Sequence, residues 1–262
     1  MTYALVTGAS KGIGKSIAFE LAAKGYNILL VARSEKLLAE VAKEIDEKFA
    51  VKVGFLAIDL SQTDAPEKVF DWCTKSNFEV SILVNNAGYG LWGMFDKLTL
   101  TEQLNMMQLN MQTLIALTYL FIPILKKNKT TAYILNTSST ASFQAVPTLS
   151  VYAATKAFVL TFSRGLKIEL EKTPVKVSCL IPGATDTGFM DRANMETLKE
   201  FAKKFEMSPD EVAKIAVADM FKGKLEIIPG ISNIVSAIGT KLLPKKWSDT
   251  IAAGIYLKKL KQ

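Results

Sequence analysis

The sequence predicts an α/β fold in which a seven-stranded, mostly parallel sheet carries helices on both faces, a doubly wound arrangement. Seven short apolar runs alternate with longer amphipathic stretches; the runs are YALVT, NILLVA, VKVGFLAI, SILVNN, AYILNTSS, VKVSCLIP and LEIIP. This alternation is typical of parallel sheets covered by helices. We found no internal repeat and no linker rich in glycine, serine or proline, so we expect a single domain over residues 1–262.

The charge of the chain limits which classes of binding partner are expected. The formal net charge of +7 comes from scattered lysines, with clusters at residues 126–129, 245–246 and 258–261 that are not interleaved with aromatic residues. We interpret these clusters as solvated faces and expect no nucleic-acid partner. The positive balance favours an anionic ligand, such as a cofactor that carries phosphate.

Three features indicate a soluble, cytoplasmic protein. The chain begins directly with an apolar strand, without a charged leader, and no uninterrupted apolar run reaches membrane-spanning length. Cys73 and Cys179 lie far apart, in a predicted helix and a predicted buried strand. They therefore indicate neither a disulfide framework nor a metal site.

The chain has no histidine, which removes Ser-His-Asp and Cys-His machinery and the commonest transition-metal ligand. Acid–base chemistry must then use a perturbed Tyr, Lys, Cys or carboxylate. In SVYAATKAF, Tyr152 and Lys156 stand four residues apart and share one face of a predicted helix. A lysine beside a phenol favours the phenolate, so we interpret the pair as a proton-handling centre. Two residues on a solvated helix face are the alternative.

The first turn, TGASKGIG, follows the first strand and opens a helix expected to run to about Gly25. Glycines at 8, 12 and 14 permit a tight turn and close approach to phosphate, and the helix N-terminus offers free N–H groups. A dinucleotide pyrophosphate occupies this position in a Rossmann-type domain. The spacing is GxxxGxG rather than GxGxxG, and a plain strand-to-helix turn is the alternative.

The ends of the second and third strands bear on the choice of cofactor. Arg33 stands where an NAD-binding unit usually places an acidic residue. With Lys11 it could grip a 2′-phosphate, which favours NADP(H) over NAD(H); an unengaged surface arginine is the alternative. Asp59 is suited to accept a hydrogen bond from an adenine amino group, or else precedes Ser61 as a helix N-terminal acid.

Polar residues also follow the next two strands. In VNNAGYG we expect Asn86, Ala87 and Gly88 to line the adenosine ribose, although turn chemistry alone would explain them. Asn110 is a polar amide on a long apolar helix predicted from Glu102 to Lys127, where it either stabilises a kink or reaches the active site. Ser139 lies thirteen residues before Tyr152 and could bond a substrate carbonyl or simply cap a turn.

The sixth strand ends in LIPGATDTGF, where Pro182 and Gly183 break the strand and Thr185 and Thr187 offer hydroxyls to a carboxamide. Together, TGASKGIG, NNAG, Asn110, Ser139 with YAATK, and PGATDT resemble the classical short-chain dehydrogenase/reductase family over about residues 2 to 230. VARSEKL is most similar to NADP-preferring carbonyl and acyl reductases. No departure from the catalytic set of the family is visible.

The resemblance implies hydride transfer between NADP(H) and a carbonyl or alcohol carbon. Tyr152 would exchange the proton, Lys156 would lower the tyrosine pKa and bond the nicotinamide ribose, Ser139 would polarise the carbonyl, and Asn110 would hold a water. The implied cofactor-binding residues are Gly8, Ser10, Lys11, Gly12, Ile13, Arg33, Asp59, Leu60, Asn86, Ala87, Gly88, Tyr152, Lys156, Pro182, Gly183, Thr185 and Thr187.

The family pattern also implies a substrate lid over about residues 188–222, whose second helical stretch opens at Ser208 and Pro209. An apolar pocket is expected, and with it an apolar ketone, aldehyde or 3-oxoacyl substrate. The predicted pocket residues are Tyr89, Leu91, Trp92, Phe143, Phe189 and Met190, with Phe201 and Phe205.

Residues 231–262 form a C-terminal extension that we predict to be two amphipathic helices around Pro244. This extension packs on the body, forms a subunit interface or lies on a membrane surface; we favour the first two. A homodimer or homotetramer is expected. Two functional alternatives remain open: a catalytically silent NADP(H)-binding regulatory protein, and a membrane-surface-associated lipid or acyl reductase.

Overall fold

The computed structural model describes residues 2–193, 195, 203 and 206–260. Seven strands form one sheet in the order β3-β2-β1-β4-β5-β6-β7, and every neighbouring pair is parallel. The predicted α/β fold is therefore confirmed. The strands are β1 (Tyr3–Thr7), β2 (Asn27–Ala32), β3 (Val53–Ala57), β4 (Val80–Asn85), β5 (Ala132–Thr137), β6 (Val175–Leu180) and β7 (Glu226–Ile227).

Helices cover both faces of the sheet. They are α1 (Gly12–Ala23), α2 (Glu35–Lys48), α3 (Ala65–Lys75), α4 (Leu100–Met107), α5 (Thr113–Lys126), α6 (Ser150–Glu169), α7 (Phe189–Arg192), α8 (Pro209–Phe221), α9 (Ile231–Leu242) and α10 (Lys245–Leu260). Alternate residues along β1 enter two separate cores: Leu5 joins the side of α3, α5 and α6, and Val6 joins the side of α1, α2 and α8. This period of two is what a strand covered on both faces requires.

Strand order reverses between β1 and β4, and this reversal fixes where ligands can bind. The chain moves outward from β1 to β2 and β3, and then returns to pair β4 with the free side of β1. The loops after β1 and β4 therefore leave the sheet in different directions and open a crevice at its carboxyl edge. The Thr7 hydroxyl closes the base of this crevice by donating to the Val84 carbonyl at 3.1 Å.

The long helix predicted from Glu102 to Lys127 is divided by a π-helical turn, Gln108–Gln112, which separates α4 from α5. Within the described residues, the run Leu100–Lys126 is long and apolar enough to cross a membrane by length and composition alone. The run is not uninterrupted, since Glu102, Gln108 and Asn110 lie within it, so it does not contradict the expectation from sequence. This run packs as a core helix along one side, where Phe121 is fully buried.

The range predicted for the lid, about residues 188–222, includes helix α8, which packs into the core of the domain. Helix α8 begins with the expected capping box, in which Ser208 accepts from the Glu211 amide at 3.2 Å. Its Val217 and Met220 are fully buried in the core shared with α1, and Ser16 of α1 bonds Asp210 at 2.6 Å. Residues 209–221 thus belong to the body of the domain. The predicted pair of C-terminal helices is confirmed as α9 and α10.

Candidate active site

The glycine-rich turn forms a cradle at the N-terminus of α1. Gly8 and Gly12 adopt left-handed conformations, with φ of 66° and 57°, which side chains rarely tolerate. A Cβ on Gly8 would lie 2.9 Å from the Asn86 amide nitrogen, and a Cβ on Gly12 would lie 2.7 Å from the Thr187 Cβ. Backbone from three loops therefore meets here at distances that only glycine permits.

Thr7 joins the first and fourth strand ends beneath this cradle. Its hydroxyl accepts from the Asn86 amide at 2.9 Å and from the Ala87 amide at 3.1 Å. The Asn86 side chain donates in turn to the Thr7 carbonyl at 3.0 Å. NNAG therefore has a structural role that goes beyond a turn, because it holds the glycine loop in place.

A cavity of about 910 Å³ runs along the carboxyl edge of the sheet. Every residue predicted to bind a cofactor lines it: Gly8, Ser10, Lys11, Gly12, Ile13, Arg33, Asp59, Leu60, Asn86, Ala87, Gly88, Tyr152, Lys156, Pro182, Gly183, Thr185 and Thr187. We call the part between the glycine turn and Arg33 the nucleotide groove. Asp59 also accepts from the Ser61 hydroxyl at 2.8 Å, so its local turn role coexists with its place in the cavity.

The nucleotide groove presents positive charge at its outer end. Arg33 follows β2 directly, Lys11 precedes α1, and both side chains are exposed while lining the cavity. Within the part of the chain that the structure describes, no ion pair engages either residue. Two cations at this point suit a dianionic ligand group.

Tyr152 and Lys156 lie on the inward face of α6, where they are 8% and 5% exposed. The Lys156 Nζ lies 5.7 Å from the centroid of the Tyr152 ring and donates to the Thr137 carbonyl at 2.9 Å. The Ser138 hydroxyl donates to the Lys156 carbonyl at 2.7 Å, which ties α6 to the end of β5. The alternative of a solvated helix face is therefore excluded.

Burial perturbs both ionisable groups. It lowers the pKa of Lys156 to about 8 and raises the pKa of Tyr152 to about 12. A hydrogen bond from Ser139 lowers the pKa of Tyr152, but by less than burial raises it. The shift of Tyr152 is thus opposite to the lowering expected from an adjacent lysine, because removal from water disfavours the charged phenolate.

Ser139 caps a turn, one of the two roles that its position allowed, and it also faces the cavity. Its hydroxyl caps the short 3₁₀ helix Thr140–Phe143 by accepting from the Ala141 amide at 3.2 Å. It also lines the cavity, and it lies near enough to the Tyr152 phenol to lower the pKa of that group. A carbonyl group between Ser139 and Tyr152 would therefore meet two hydroxyl donors.

Asn110 stands behind this centre, buried in the π-helical turn. Its amide nitrogen donates to the Tyr89 carbonyl at 2.9 Å and to the Thr155 hydroxyl at 3.1 Å, and its oxygen accepts from the Tyr89 amide at 3.1 Å. A Cβ on Gly88 would lie 2.9 Å from that oxygen and 3.4 Å from Lys156 Nζ. Asn110 thus stabilises the turn after NNAG beside the lysine.

The apolar end of the cavity differs in part from the prediction. Tyr89, Phe143, Phe189 and Met190 line it, and the Phe189 ring lies 5.4 Å from the Tyr152 ring. Leu91 and Trp92 do not line it: their loop turns inward, and both pack against the core between the sheet and α6. Phe201 and Phe205 lie outside the described residues.

The C-terminal helices supply cavity residues that sequence reasoning missed. Asn233 of α9 donates to the Pro229 carbonyl at 2.7 Å, and its side chain contacts Gly183 so closely that a Cβ there would overlap it. Tyr256 of α10 lines the cavity near Tyr152. The sequence signal that could have identified them is the set of polar residues, Ser232, Asn233 and Ser236, within the apolar pattern of α9. The other cavity-lining residues of this C-terminal segment are Ser232, Ser236, Gly239, Thr240, Leu243, Ile251, Ala252 and Ile255.

A parallel sheet with this strand order and a glycine-rich first turn is a dinucleotide-binding architecture. The chain belongs to the short-chain dehydrogenase family: a family model described as short chain dehydrogenase matches residues 2–198.

Several individual proteins are similar to the chain. It is 35% identical over 184 residues to very-long-chain 3-oxoacyl-CoA reductase-A of Danio rerio, covering 69% of this chain and 57% of that protein. It is 31% identical over 207 residues to 17-beta-hydroxysteroid dehydrogenase type 3 of Mus musculus, covering 77% of this chain and 67% of that protein. The chain thus spans somewhat more than half the length of the 3-oxoacyl-CoA reductases it matches.

A solved structure is similar over nearly the whole chain. The short-chain dehydrogenase from Sphingobium yanoikuyae in complex with NADPH superposes with a TM-score of 0.81 at 30% identity, covering 92% of this chain and 93% of that one.

Proposed function

We propose that this protein is an NADP(H)-dependent reductase that acts on the carbonyl group of an apolar small molecule. The observation that carries the proposal is the buried Tyr152–Lys156 pair, which lies with Ser139 in one cavity with the nucleotide groove. The similarity to 3-oxoacyl-CoA reductases and to a hydroxysteroid dehydrogenase supports it, since those names describe carbonyl and alcohol chemistry.

The residues of the groove fit a phosphorylated dinucleotide. Left-handed Gly8 and Gly12 bring backbone N–H groups and the α1 N-terminus to the position that a pyrophosphate takes. Arg33 and Lys11 would hold the 2′-phosphate, and Thr185 and Thr187 would bond the carboxamide. When bound, NADP(H) supplies the hydride.

The protein residues supply the proton. With its pKa raised to about 12, Tyr152 carries its proton at neutral pH and can donate it to the developing alkoxide oxygen. Lys156, whose pKa is lowered to about 8, remains mostly cationic at neutral pH and would stabilise the phenolate that forms. Ser139 would orient the carbonyl oxygen toward Tyr152. In the oxidising direction the same groups act in reverse.

The substrate class follows from the apolar end of the cavity. Phe143, Phe189 and Met190 surround the position next to Tyr152, and Ile255 and Tyr256 close it from α10. Such walls contribute about 25 cal/mol for each Å² of apolar ligand surface that they remove from water. We therefore propose a ketone, aldehyde or 3-oxoacyl compound with an apolar body, reduced at one carbonyl.

Tyr152→Phe tests the proposal directly. We expect a fall in kcat of on the order of a thousandfold, because a general acid contributes about 10²–10⁴-fold, while the NADPH dissociation constant changes little. Turnover is measured as NADPH consumption across apolar ketones, aldehydes and 3-oxoacyl compounds, and NADPH affinity by fluorescence titration.

Tyr119→Phe is the matched control, because Tyr119 is exposed on α5 and does not line the cavity. Ordinary activity in Tyr152→Phe would overturn the role of that tyrosine. A wild-type protein that binds NADPH but turns over none of these carbonyls would instead support a silent cofactor-binding protein.

A further inference from the structure

The outer face of α9 carries an apolar stripe. Ile231, Val235, Ile238 and Leu242 are 81%, 63%, 51% and 80% exposed, and their spacing of three and four residues places them on one side of the helix. Trp247 and Ile251 of α10, the next helix along the chain, are also exposed and apolar. We call these six residues the C-terminal stripe. A contiguous apolar surface of this kind marks a site of association.

The segment that carries the C-terminal stripe is rich in positive charge. Residues 231–262 contain six lysines and a single acidic residue, Asp249, a formal charge of +5 out of +7 for the whole chain. Asp249 is turned toward the body, where it accepts from the Ala145 amide at 3.2 Å. Lys246 is exposed next to Trp247. The charge of this segment is thus complementary to an anionic surface.

The exposed apolar surface is continuous with the cavity. Leu243 and Ile251 are exposed to solvent and also line the cavity. From the same two helices, Thr240 and Tyr256 also line the cavity, and Tyr256 lies near Tyr152. An apolar molecule could therefore pass from the C-terminal stripe to the reacting centre along one apolar path.

We propose that α9 and α10 dock this protein on an anionic membrane surface. The C-terminal stripe would enter the boundary between headgroups and acyl chains, and the lysines would lie among the lipid phosphates. The mouth of the cavity at Leu243 and Ile251 would then open toward the lipid. A second copy of the chain is less suited to cover the stripe, because two segments of formal charge +5 repel each other.

Vesicle binding of the full chain tests this docking. Phosphatidylcholine vesicles with and without phosphatidylglycerol are sedimented with the protein at low and high salt. We expect binding to the anionic vesicles that weakens with salt. Lys246→Glu should weaken it on the order of tenfold, and Val235→Glu with Leu242→Glu on the order of a hundredfold.

The controls are an exposed lysine and an exposed aromatic residue elsewhere. Lys129→Glu and Phe95→Glu make the same chemical changes away from α9 and α10 and should bind vesicles as the wild type does. Brominated lipid should quench the Trp247 emission; Trp247→Phe should keep binding and lose most quenching, because Trp72 and Trp92 are partly buried.

Two results would overturn the proposal. One is that the protein binds both kinds of vesicle equally, or binds neither, and that Lys246→Glu does not change the binding. The other is a change in sedimentation coefficient of Val235→Glu with Leu242→Glu in lipid-free solution, which would identify a second copy as the occupant. Lys246→Glu and the variant Val235→Glu with Leu242→Glu do not change Tyr152 or the nucleotide groove. A loss of docking can therefore be distinguished from a loss of the proposed carbonyl reduction.

Discussion

At the scale of single residues, Lys156 is held where its own charge is disfavoured. It is nearly fully buried, and its Nζ has one backbone acceptor, the Thr137 carbonyl. The hydroxyl of Tyr152 and the amide of Asn110 are nearby, yet neither carries a negative charge at neutral pH. The protonated lysine therefore destabilises the protein without a ligand and becomes useful when a neighbouring oxygen gains charge.

The unfavourable charge of Lys156 predicts a pH dependence of stability. Its pKa is about 8 in the fold and near 10.5 when unfolded. Between these values the unfolded state binds more protons, so the free energy of unfolding rises with pH. Lys156→Met should remove this rise, which is on the order of 1–3 kcal/mol. Urea unfolding between about pH 8 and about pH 10 measures it as the difference in slope between the wild type and Lys156→Met, because burial raises the pKa of the Cys73 and Cys179 thiols to about 12 and both proteins share their opposite contribution.

Lys129→Met is the control for this measurement, because Lys129 is exposed. It should keep the wild-type slope of unfolding free energy against pH. Identical slopes in the wild type and Lys156→Met would show that Lys156 is not electrostatically disfavoured in the fold.

Arg33 determines cofactor preference in our proposal. Arg33→Ala should raise the NADPH dissociation constant on the order of 10–100-fold and leave that of NADH within a few-fold, because the lost charge-assisted bonds involve the 2′-phosphate. Fluorescence titration of both cofactors measures this. Lys36→Ala is the control, since Lys36 is exposed three residues away and does not line the cavity. A wild type that binds NADH as tightly as NADPH would contradict the assignment.

At the scale of elements, α1 has a left-handed glycine at each end. Gly12 opens the helix with φ of 57°, and Gly25 follows it with φ of 84°. A Cβ at Gly12 would meet Thr187, whereas a Cβ at Gly25 would meet nothing within 4 Å. Substitutions at both positions should therefore cause backbone strain, but only a substitution at Gly12 should disturb the cradle.

Alanine at each position tests that separation. Gly12→Ala and Gly25→Ala should each lower the free energy of unfolding by on the order of 1 kcal/mol. Gly12→Ala alone should raise the NADPH dissociation constant by at least about tenfold, since the displaced loop no longer presents its amides. Thermal unfolding and fluorescence titration give the two quantities. Equal NADPH affinity in both variants would remove the phosphate role of the cradle.

Local sequence could predict the strands and the motifs that follow them. Each strand is a short run whose residues alternate between two cores, and its terminal polar residues reach the same sheet edge. The contribution of Asn233 and Tyr256 could not be predicted this way, because it depends on how α9 and α10 fold back over the cavity. Leu91 and Trp92 were misplaced for the related reason that a loop direction depends on tertiary packing.

At the scale of the whole molecule, the helical run α4–α5 presents an exposed apolar face opposite its buried one. Leu104, Ile115 and Tyr119 are exposed there, Tyr119 by 76%. A twofold pairing of such faces is the commonest way to cover them. We expect a homodimer in which Tyr119→Glu raises the dimer dissociation constant on the order of tenfold or more, by burying a charge in the interface.

Sedimentation velocity over a range of protein concentrations measures that constant. Phe95→Glu, which introduces the same charge at an exposed aromatic residue before α4, should leave it unchanged. Monomeric wild-type protein, or a dimer unaffected by Tyr119→Glu, would contradict this assembly.

The pairing of β1 with β4 has a consequence for biosynthesis. Tyr3 aligns with Asn27 on one side and with Val80 on the other, so during synthesis β1 is only half paired until β4 follows. The glycine cradle also cannot be completed before the loop after β4 is made, because the Asn86 amide donates to the Thr7 hydroxyl. We expect the nascent segment from β1 to β3 to be a client of chaperones that shield unpaired strand edges, and to acquire NADPH affinity only after release of later segments.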